Sequence, residues 1–253
     1  LPEPSPHKPL GEPFVELDSV DSTNNYALAQ LHAGLASHGA AFFAWEQFAG
    51  KGQRGKTWLS EKGNNLILSV VIDPSPLLLP QQFRLSVCLS IGVVEWFAQY
   101  AGDATRIKWP NDLYWHDRKA GGMLIESIVG AQSSWKWAVA GIGININQVQ
   151  FNPSLKNPVS LRQITGRQFE ANQLARELCQ SISKLWYELR DDGWPALLNR
   201  YNNLLYRRGE KTSFRSGNRK FEAVVTGVDE NGRLLLQGEL ETAHEFGSLE
   251  WVL

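Results

Sequence analysis

With 25 Lys and Arg against 26 Asp and Glu in 253 residues, the chain has a formal net charge of −1 and lacks the basic excess that binds nucleic acid or anionic membranes. Its 43% apolar content is ample for one large domain, or one large and one small. No run approaches the ~18 consecutive apolar residues of a membrane span, and the Pro-rich start LPEPSPHKPLGEP has no apolar signal-peptide centre.

Residues 1–14 are expected to be an extended or disordered lead. From Asp21, DSTNNYALAQLHAG predicts a helix with Ser22 or Thr23 as N-cap, apolar Ala27, Leu28 and Leu31, and Gly34 past its end. Strands are predicted over 40–48 (AAFFAWEQF) and 65–72 (NLILSVVI). Between them, residues 50–57 read GKGQRGKT and satisfy the phosphate-loop pattern G-x-x-x-x-G-K-[ST] letter for letter. A phosphate loop must open a helix, because only there do backbone N–H groups and the helix dipole converge on phosphate. Here the continuation is WLSEKGNN, which is turn chemistry, and then a strand. Asp73, the apparent Walker-B aspartate, follows too soon for a crossover helix. The stretch is therefore read as a basic, glycine-rich loop joining two strands, able to bind an anion by another geometry.

Phe83, Val87, Ile91, Val94 and Phe97 recur at helical steps over residues 81–101. A β-rich stretch follows (TRIKW, DLYWH, GGMLIESIV, WKWAVAGIGINI), with a hairpin tip at 130–132. Helices return after residue 160, with Leu174, Leu178, Ile182, Leu185 and Leu189 along one face and Pro195 in a first turn. Residues 207–253 alternate in short strands, including Lys220 to Val225 and Arg233 to Leu236, so a boundary is placed near Tyr206. A module of under 50 residues is marginal alone and is expected to dock on the larger domain, residues 15–206. Cys88 and Cys179 fall in separate apolar helical patterns, which suggests a reducing, cytoplasmic setting. The ten tryptophans are spread along the chain, as core packing requires, with one or two available to line a pocket.

Five segments are polar or glycine-rich where structure alone would favour apolar residues: Ser22-Thr23-Asn24, Gln47 to Trp58, Lys108-Trp109-Pro110-Asn111-Asp112, Lys119-Ala120-Gly121-Gly122, and Gly141 to Asn147. Each has a plain structural alternative. Ser22 can be simply a cap, Trp-Pro-Asn-Asp a turn, and Lys-Ala-Gly-Gly a strand with a bulge. Glycines inside the last strand suggest the close approach of a ligand or another backbone.

Taken in order and spacing, DSTN, EQFAGKGQRGKTW, KWPND, KAGGMLIE and GIGIN resemble the catalytic domain of the biotin protein ligases. The resemblance runs from about Val15 to the C-terminus. It implies an α+β fold, a mixed sheet flanked by helices of the class II synthetase-like kind, followed by a small SH3-like β-barrel. It also implies an activity in two steps. The biotin carboxylate attacks the α-phosphate of ATP to give biotinyl-adenylate, and a lysine of a biotin carboxyl carrier domain then takes the biotinyl group.

By the same resemblance Ser22, Thr23 and Gln47, with Asn24 beside them, pair with the ureido ring of biotin. Gly50, Lys51, Trp58, Gly122 and Lys119 receive the rest of the molecule. Lys51, Gln53, Arg54, Lys56, Lys108, Asn111, Asp112 and Asn145 are assigned to ATP and the adenylate. Lys119, Asp112 and Arg54 are the expected catalytic set, with Asp112 able to hold Mg²⁺ or to steer the incoming lysine. These residue types suit the chemistry, since two mutually repellent anions need cationic groups to bring them within ~3 to 3.5 Å. Gln53 departs from the arginine common at that place and predicts a looser grip on the adenylate, because charge-assisted hydrogen bonds are roughly twice as strong as neutral ones. The loop is expected to close only on its ligand.

About twenty residues precede the DSTN helix, too few for a helix-turn-helix domain, so the sequence resembles the single-function ligases, with no nucleic-acid or membrane partner. A monomer or weak homodimer is expected. Two rival readings are a lipoate or octanoate ligase of the same fold, whose transferase cysteine is not seen here, and a non-catalytic biotin or nucleotide sensor, which would have no need of Lys119.

Overall fold

In the computed structural model, which describes residues 8–238 and 241–252, a seven-stranded sheet carries the candidate residues. From edge to edge it runs β1 (Phe14–Leu17), β2 (Ala41–Ala44), β3 (Asn65–Ile72), β7 (Trp135–Asn145), β6 (Arg118–Val129), β5 (Asp112–Trp115) and β4 (Thr105–Lys108). Only β1 and β2 pair in parallel; the other neighbours are antiparallel. Strand β3 is buried at every position, which explains why NLILSVVI reads as a continuous apolar run rather than an alternating one.

Period-two alternation divides the sheet into two faces. Leu66, Leu68, Val70 and Ile72 of β3, with Ala138, Ala140, Ile142 and Ile144 of β7, join the core that includes α2 (Gln82–Ala101) and α4 (Ala171–Arg190). Both long helices match their apolar stripes. They approach closely at Gly92, where a Cβ would lie 2.7 Å from Ile182 Cγ2. The opposite face is covered in part by α1 (Thr23–His32), whose Ala27 packs with Phe42, Val71 and Val139. The rest of that face holds the candidate site.

Several sequence expectations are corrected. Strand 40–48 ends at Ala44, because the following residues turn away to pair with the chain before α1: Val20 N donates to Glu46 O at 3.0 Å, and Phe48 N to Val20 O at 3.1 Å. Within the expected lead, residues 1–7 lie outside the described residues, whereas Leu10 is buried and its N donates to Ser183 Oγ of α4 at 3.1 Å. Strand β1 already begins at Phe14. The β6–β7 connection is longer than the predicted tip, with a 3₁₀ turn at Ala131–Ser133. The basic loop holds only a short 3₁₀ turn, Gln53–Gly55, and leads into β3, which pairs antiparallel with β2; this is not the geometry of a phosphate loop.

After the short α3 (Leu161–Thr165) and α4, helix α5 (Trp194–Asn203) starts with Pro195 in its first turn. The chain then adds β8 (Lys211–Ser216), β9 (Arg219–Val228), β10 (Leu234–Gln237), β11 (Glu241–His244) and β12 (Glu250–Val252), an antiparallel sheet ordered β11-β10-β9-β8-β12. It is docked, as its size requires. Phe214, Val225, Val228, Leu234 and Leu236 belong to the same apolar cluster as α2 and α4. The Asn202 amide seals the junction, donating to Val228 O at 3.1 Å and accepting from Val228 N at 2.7 Å. Among the described residues no helix is long and apolar enough to cross a membrane. Cys88 and Cys179 are free and buried. Desolvation pushes the Cys179 thiol up to about 12 and Cys88 higher still.

Candidate functional site

Alternation places Ile67 and Ser69 of β3, Gly141 and Gly143 of β7, and Gly122, Leu124 and Glu126 of β6 on the face opposite α2 and α4. Cross-strand register aligns Ser69 with Gly141 and Leu124 in one row, and Ile67 with Gly143 and Gly122 in the next. Three glycines therefore form a low floor.

At one end of this floor lies a chain of hydrogen bonds under the start of α1. Thr23 N donates to Gln47 Oε1 at 2.8 Å, and Thr23 Oγ1 lies 3.3 Å from the same oxygen. Ser69 Oγ is 2.8 Å from Thr23 Oγ1 and 2.6 Å from Asn24 Oδ1, which accepts its proton. Asn24 Nδ2 donates to Glu126 Oε2 at 2.7 Å, and Lys51 Nζ reaches Glu126 Oε1 at 3.5 Å. Thr23, Asn24 and Ser69 are all buried. Ser22 occupies the N-cap position, yet its hydroxyl makes no cap bond, and Gln47 caps the helix instead. The plain capping role considered for Ser22 therefore does not account for its buried side chain. Among the described residues the Gln47 Nε2 has no hydrogen-bond acceptor, and it lies next to Gly50, where a Cβ would come 2.4 Å from it.

The glycines of GIGIN do face close neighbours, and within the protein these are side chains rather than another backbone. A Cβ at Gly141 would sit 2.4 Å from Asn24 Oδ1, and one at Gly143 would sit 2.6 Å from the Trp58 indole. Trp58 Nε1 is buried without a partner among the described residues.

At the other end, Lys119 Nζ donates to Asp112 Oδ1 at 2.7 Å. A slip in the β5–β6 register, from Leu113↔Gly121 to Tyr114↔Lys119, produces this contact. The bulge turns Ala120 into the core and delivers Lys119 to the face of Gly122, where strict alternation would have pointed it inward. The bulge considered from sequence is present, and it is what brings Lys119 beside Asp112. The Lys119 backbone is pinned by segment 157–159, with Lys119 N donating to Asn157 O at 2.8 Å and Val159 N to Lys119 O at 2.9 Å.

The KWPND segment forms a turn. It closes the β4–β5 hairpin so that Lys108 pairs with Asp112. Lys108 Nζ donates to Tyr114 OH at 3.1 Å, and burial pulls the ammonium down to about 8 despite the Asp112 carboxylate. Lys119, Lys56 and Lys156 oppose its protonation further, so four lysines and one aspartate share this end. Asn111 is buried, its amide donating to Met123 O at 2.7 Å. Asn145 points its amide at Val159 O, 3.1 Å away, and Lys119 O, 3.5 Å away.

The basic loop folds back on itself, with Gly52 N donating to Lys56 O at 2.7 Å and Trp58 N to Gly50 O at 2.9 Å. Gln53 and Arg54 sit at its tip. Arg54 is not brought to Lys119; Nη1 donates instead to Gly247 O of the C-terminal sheet at 3.2 Å. An open cleft of about 530 Å³, lined by Gln47, Phe48, Trp58, Leu59, Gln148 and Phe151 among others, flanks the loop. A second, of about 570 Å³, lies between residues 9–14 and α4, away from these groups.

Sequence reading missed Ser69, Glu126 and Lys156. The first two carried a signal, a lone hydroxyl in an apolar strand and the closing glutamate of KAGGMLIE. Lys156 had none beyond its place in a Pro- and Asn-containing connector.

The Biotin/lipoate A/B protein ligase family matches residues 16–145, which contain the hydrogen-bonded chain from Gln47 to Lys51, the glycine floor, Lys108, Asp112 and Lys119. The bifunctional ligase/repressor BirA of Escherichia coli K12 is 31% identical over 225 residues, 87% of this chain and 68% of that protein. The chain belongs to the biotin/lipoate A/B protein ligase family. Within it, the biotin–[acetyl-CoA-carboxylase] ligase of Paracoccus denitrificans is 30% identical over 228 residues, 88% of this chain and 93% of that protein. Among solved structures, the biotin protein ligase of Aquifex aeolicus in complex with biotin and ATP is similar with a TM-score of 0.78 at 25% identity, covering 94% of this chain and 98% of that one.

Gly143→Ala tests the floor. A methyl 2.6 Å from the Trp58 ring must displace it, at a cost of about 1–3 kcal/mol. The denaturant midpoint is expected to fall accordingly; an unchanged midpoint would show that Trp58 does not rest there.

Proposed function

We propose that this ligase-family chain activates biotin with ATP as biotinyl-5′-adenylate and transfers the biotinyl group to a lysine of a biotin carboxyl carrier domain. The carrying observation is the Lys119–Asp112 pair at one end of a glycine floor whose other end is a buried hydrogen-bonding pocket, 2.7 Å and 2.8 Å contacts holding the two ends in place. The relatives named as biotin ligases support the substrate choice.

In this reading the ureido ring of biotin meets Ser22, Thr23 and the free amide group of Gln47. A pocket whose polar groups are left unpaired by the wrong ligand discriminates strongly. The valeryl chain runs over Gly143 and Gly122 beside Trp58, and its carboxylate ends at Lys119. There the carboxylate oxygen attacks the α-phosphorus of ATP as the bond to the β-phosphate oxygen breaks and pyrophosphate leaves. Lys119 opposes the charge that gathers on the reacting oxygens; one such donor typically contributes ~10²- to 10³-fold in rate. Lys108 and the loop lysines Lys51 and Lys56 offset the triphosphate charge. In the second step the carrier amine attacks the acyl carbon and AMP departs. Asp112, held by Lys119, accepts a hydrogen bond from the incoming ammonium and relays its proton as attack begins.

Among the described residues no group of three or more His, Cys, Asp or Glu is placed to hold a metal ion. One carboxylate is nonetheless enough for Mg²⁺, which is usually held by one or two carboxylates, substrate phosphates and water. Asp112 would be that ligand, and the ion would supply neutralisation of phosphate charge. A cysteine-dependent acyl transferase is disfavoured, because burial raises both thiols and leaves neither as a thiolate.

Lys119→Ala is expected to keep biotin affinity largely intact in calorimetry while abolishing ATP–pyrophosphate exchange. Exchange at the wild-type rate would remove the role given to Lys119, whereas absence of exchange in the wild type itself would favour a binding protein. Gln53→Arg is expected to slow the release of labelled biotinyl-AMP; release at an unaltered rate would leave the glutamine without consequence.

Lys108 generates a pH dependence. Its folded pKa of about 8 lies below the ordinary 10.5, so the cost of burying the cation is fully present below pH 8 and fades as pH rises towards 10.5. Stability should gain over that window, whereas ATP affinity should decline above pH 8 as the cation is lost. Lys108→Arg is expected to hold ATP affinity level across it, and a profile identical to wild type would show that Lys108 does not face the nucleotide.

A further inference from the structure

Arg54, at the tip of the basic loop, has a backbone φ of 56° and ψ of 41°, a left-handed conformation disfavoured for a residue with a Cβ. Its side chain leaves the lysine cluster and crosses to the turn between β11 and β12. Nη1 donates to Gly247 O at 3.2 Å, and the guanidinium lies 6.0 Å from the Phe246 ring centroid. Gly247 has a φ of +86°, a conformation that favours glycine, and a Cβ there would come within 2.9 Å of the Arg54 guanidinium carbon, so the arginine packs directly on the turn backbone. Phe246, 48% exposed, stacks edge-on against Trp109 at 5.8 Å. Trp109 in turn donates from Nε1 to Gly232 O at 2.9 Å. One short turn of the C-terminal sheet thus touches both the basic loop and the hairpin that carries Lys108 and Asp112.

We infer that Arg54 and the 245–248 turn form a clasp that holds the 50–57 loop down over the site, so that the C-terminal sheet sets how long the activated intermediate is retained. The role as a retention device rests on the proposed adenylate chemistry; the clasp itself does not. Arg54 and Phe246 are then positioning residues acting through the loop. The loop is polar, exposed along much of its length, and joined to the C-terminal sheet through these contacts, so their loss should free it while leaving the Lys119–Asp112 pair in place.

Phe246→Ala tests both levels. In the ligand-free protein, Lys51, Arg54 and Lys56 are trypsin sites, and cleavage within 50–57 should accelerate about tenfold, the scale of one exposed cation–π contact with a screened charge-assisted hydrogen bond. Phe246→Tyr should restore slow cleavage. With biotinyl-AMP preformed on the enzyme, release of label should accelerate by a similar factor in Phe246→Ala, and Arg54→Ala combined with Phe246→Ala should add nothing beyond the larger single effect. Loop cleavage at the wild-type rate, or single effects that multiply in the double variant, would overturn the clasp. If the wild type forms no labelled adenylate, the ligase reading fails while the cleavage result still decides the clasp.

Discussion

A line of hydrogen bonds beneath the start of α1, buried at Thr23, Asn24 and Ser69, is the constraint on which the rest of the site depends. Gln47, Thr23, Ser69, Asn24, Glu126 and Lys51 are linked in sequence, joining the loop before β3 to the helix, to β3 and to β6. Buried polar groups are costly unless paired, and a partly satisfied network is worse than an apolar core. Each member therefore limits where the others can stand. The network fixes the position of Gln47, and with it the base of the basic loop. It also requires Gly141, since any side chain there would fall on the Asn24 amide.

The opposite end is organised by charge rather than by hydrogen bonding. A hairpin base and a strand bulge, neither of them chemical in itself, bring Lys108, Asp112 and Lys119 onto one face. The single aspartate cannot neutralise the lysines around it, and burial already depresses Lys108. Repulsion among these cations would be relieved by an arriving anion, which is the kind of electrostatic preorganisation the proposed nucleotide chemistry would use.

Between the two ends the glycine floor keeps the sheet surface low, and Trp58 lies on it. The C-terminal sheet closes the arrangement from outside. Its core is continuous with that of the larger domain, and its 245–248 turn reaches the tip of the loop. A module too small to be stable alone is stabilised by docking, and the surface it docks on is the one next to the site.

Much of this was legible in the residues. The stripes of α2 and α4, the buried strand β3, and the rejection of a phosphate loop follow from periodicity and turn chemistry, because helix and strand repeats are local properties of the chain. The family motifs brought most of the site together for the same reason. They are short, and Lys108 and Asp112 need only a hairpin to meet. What sequence could not supply was direction. The glycines of GIGIN marked a close approach, but only the packing shows that Asn24 and Trp58 make it. Lys119 faces Asp112 because a register slip reverses its side, Ser22 is relieved of capping because Gln47 arrives from a distant loop, and Arg54 turns to Gly247 rather than to the lysines. The sequence by itself determined which elements form and which chemical groups are on hand. Only the tertiary structure decided which face each group presents, since a strand's facing can change with a single bulge and a long side chain's partner depends on contacts far away in the chain.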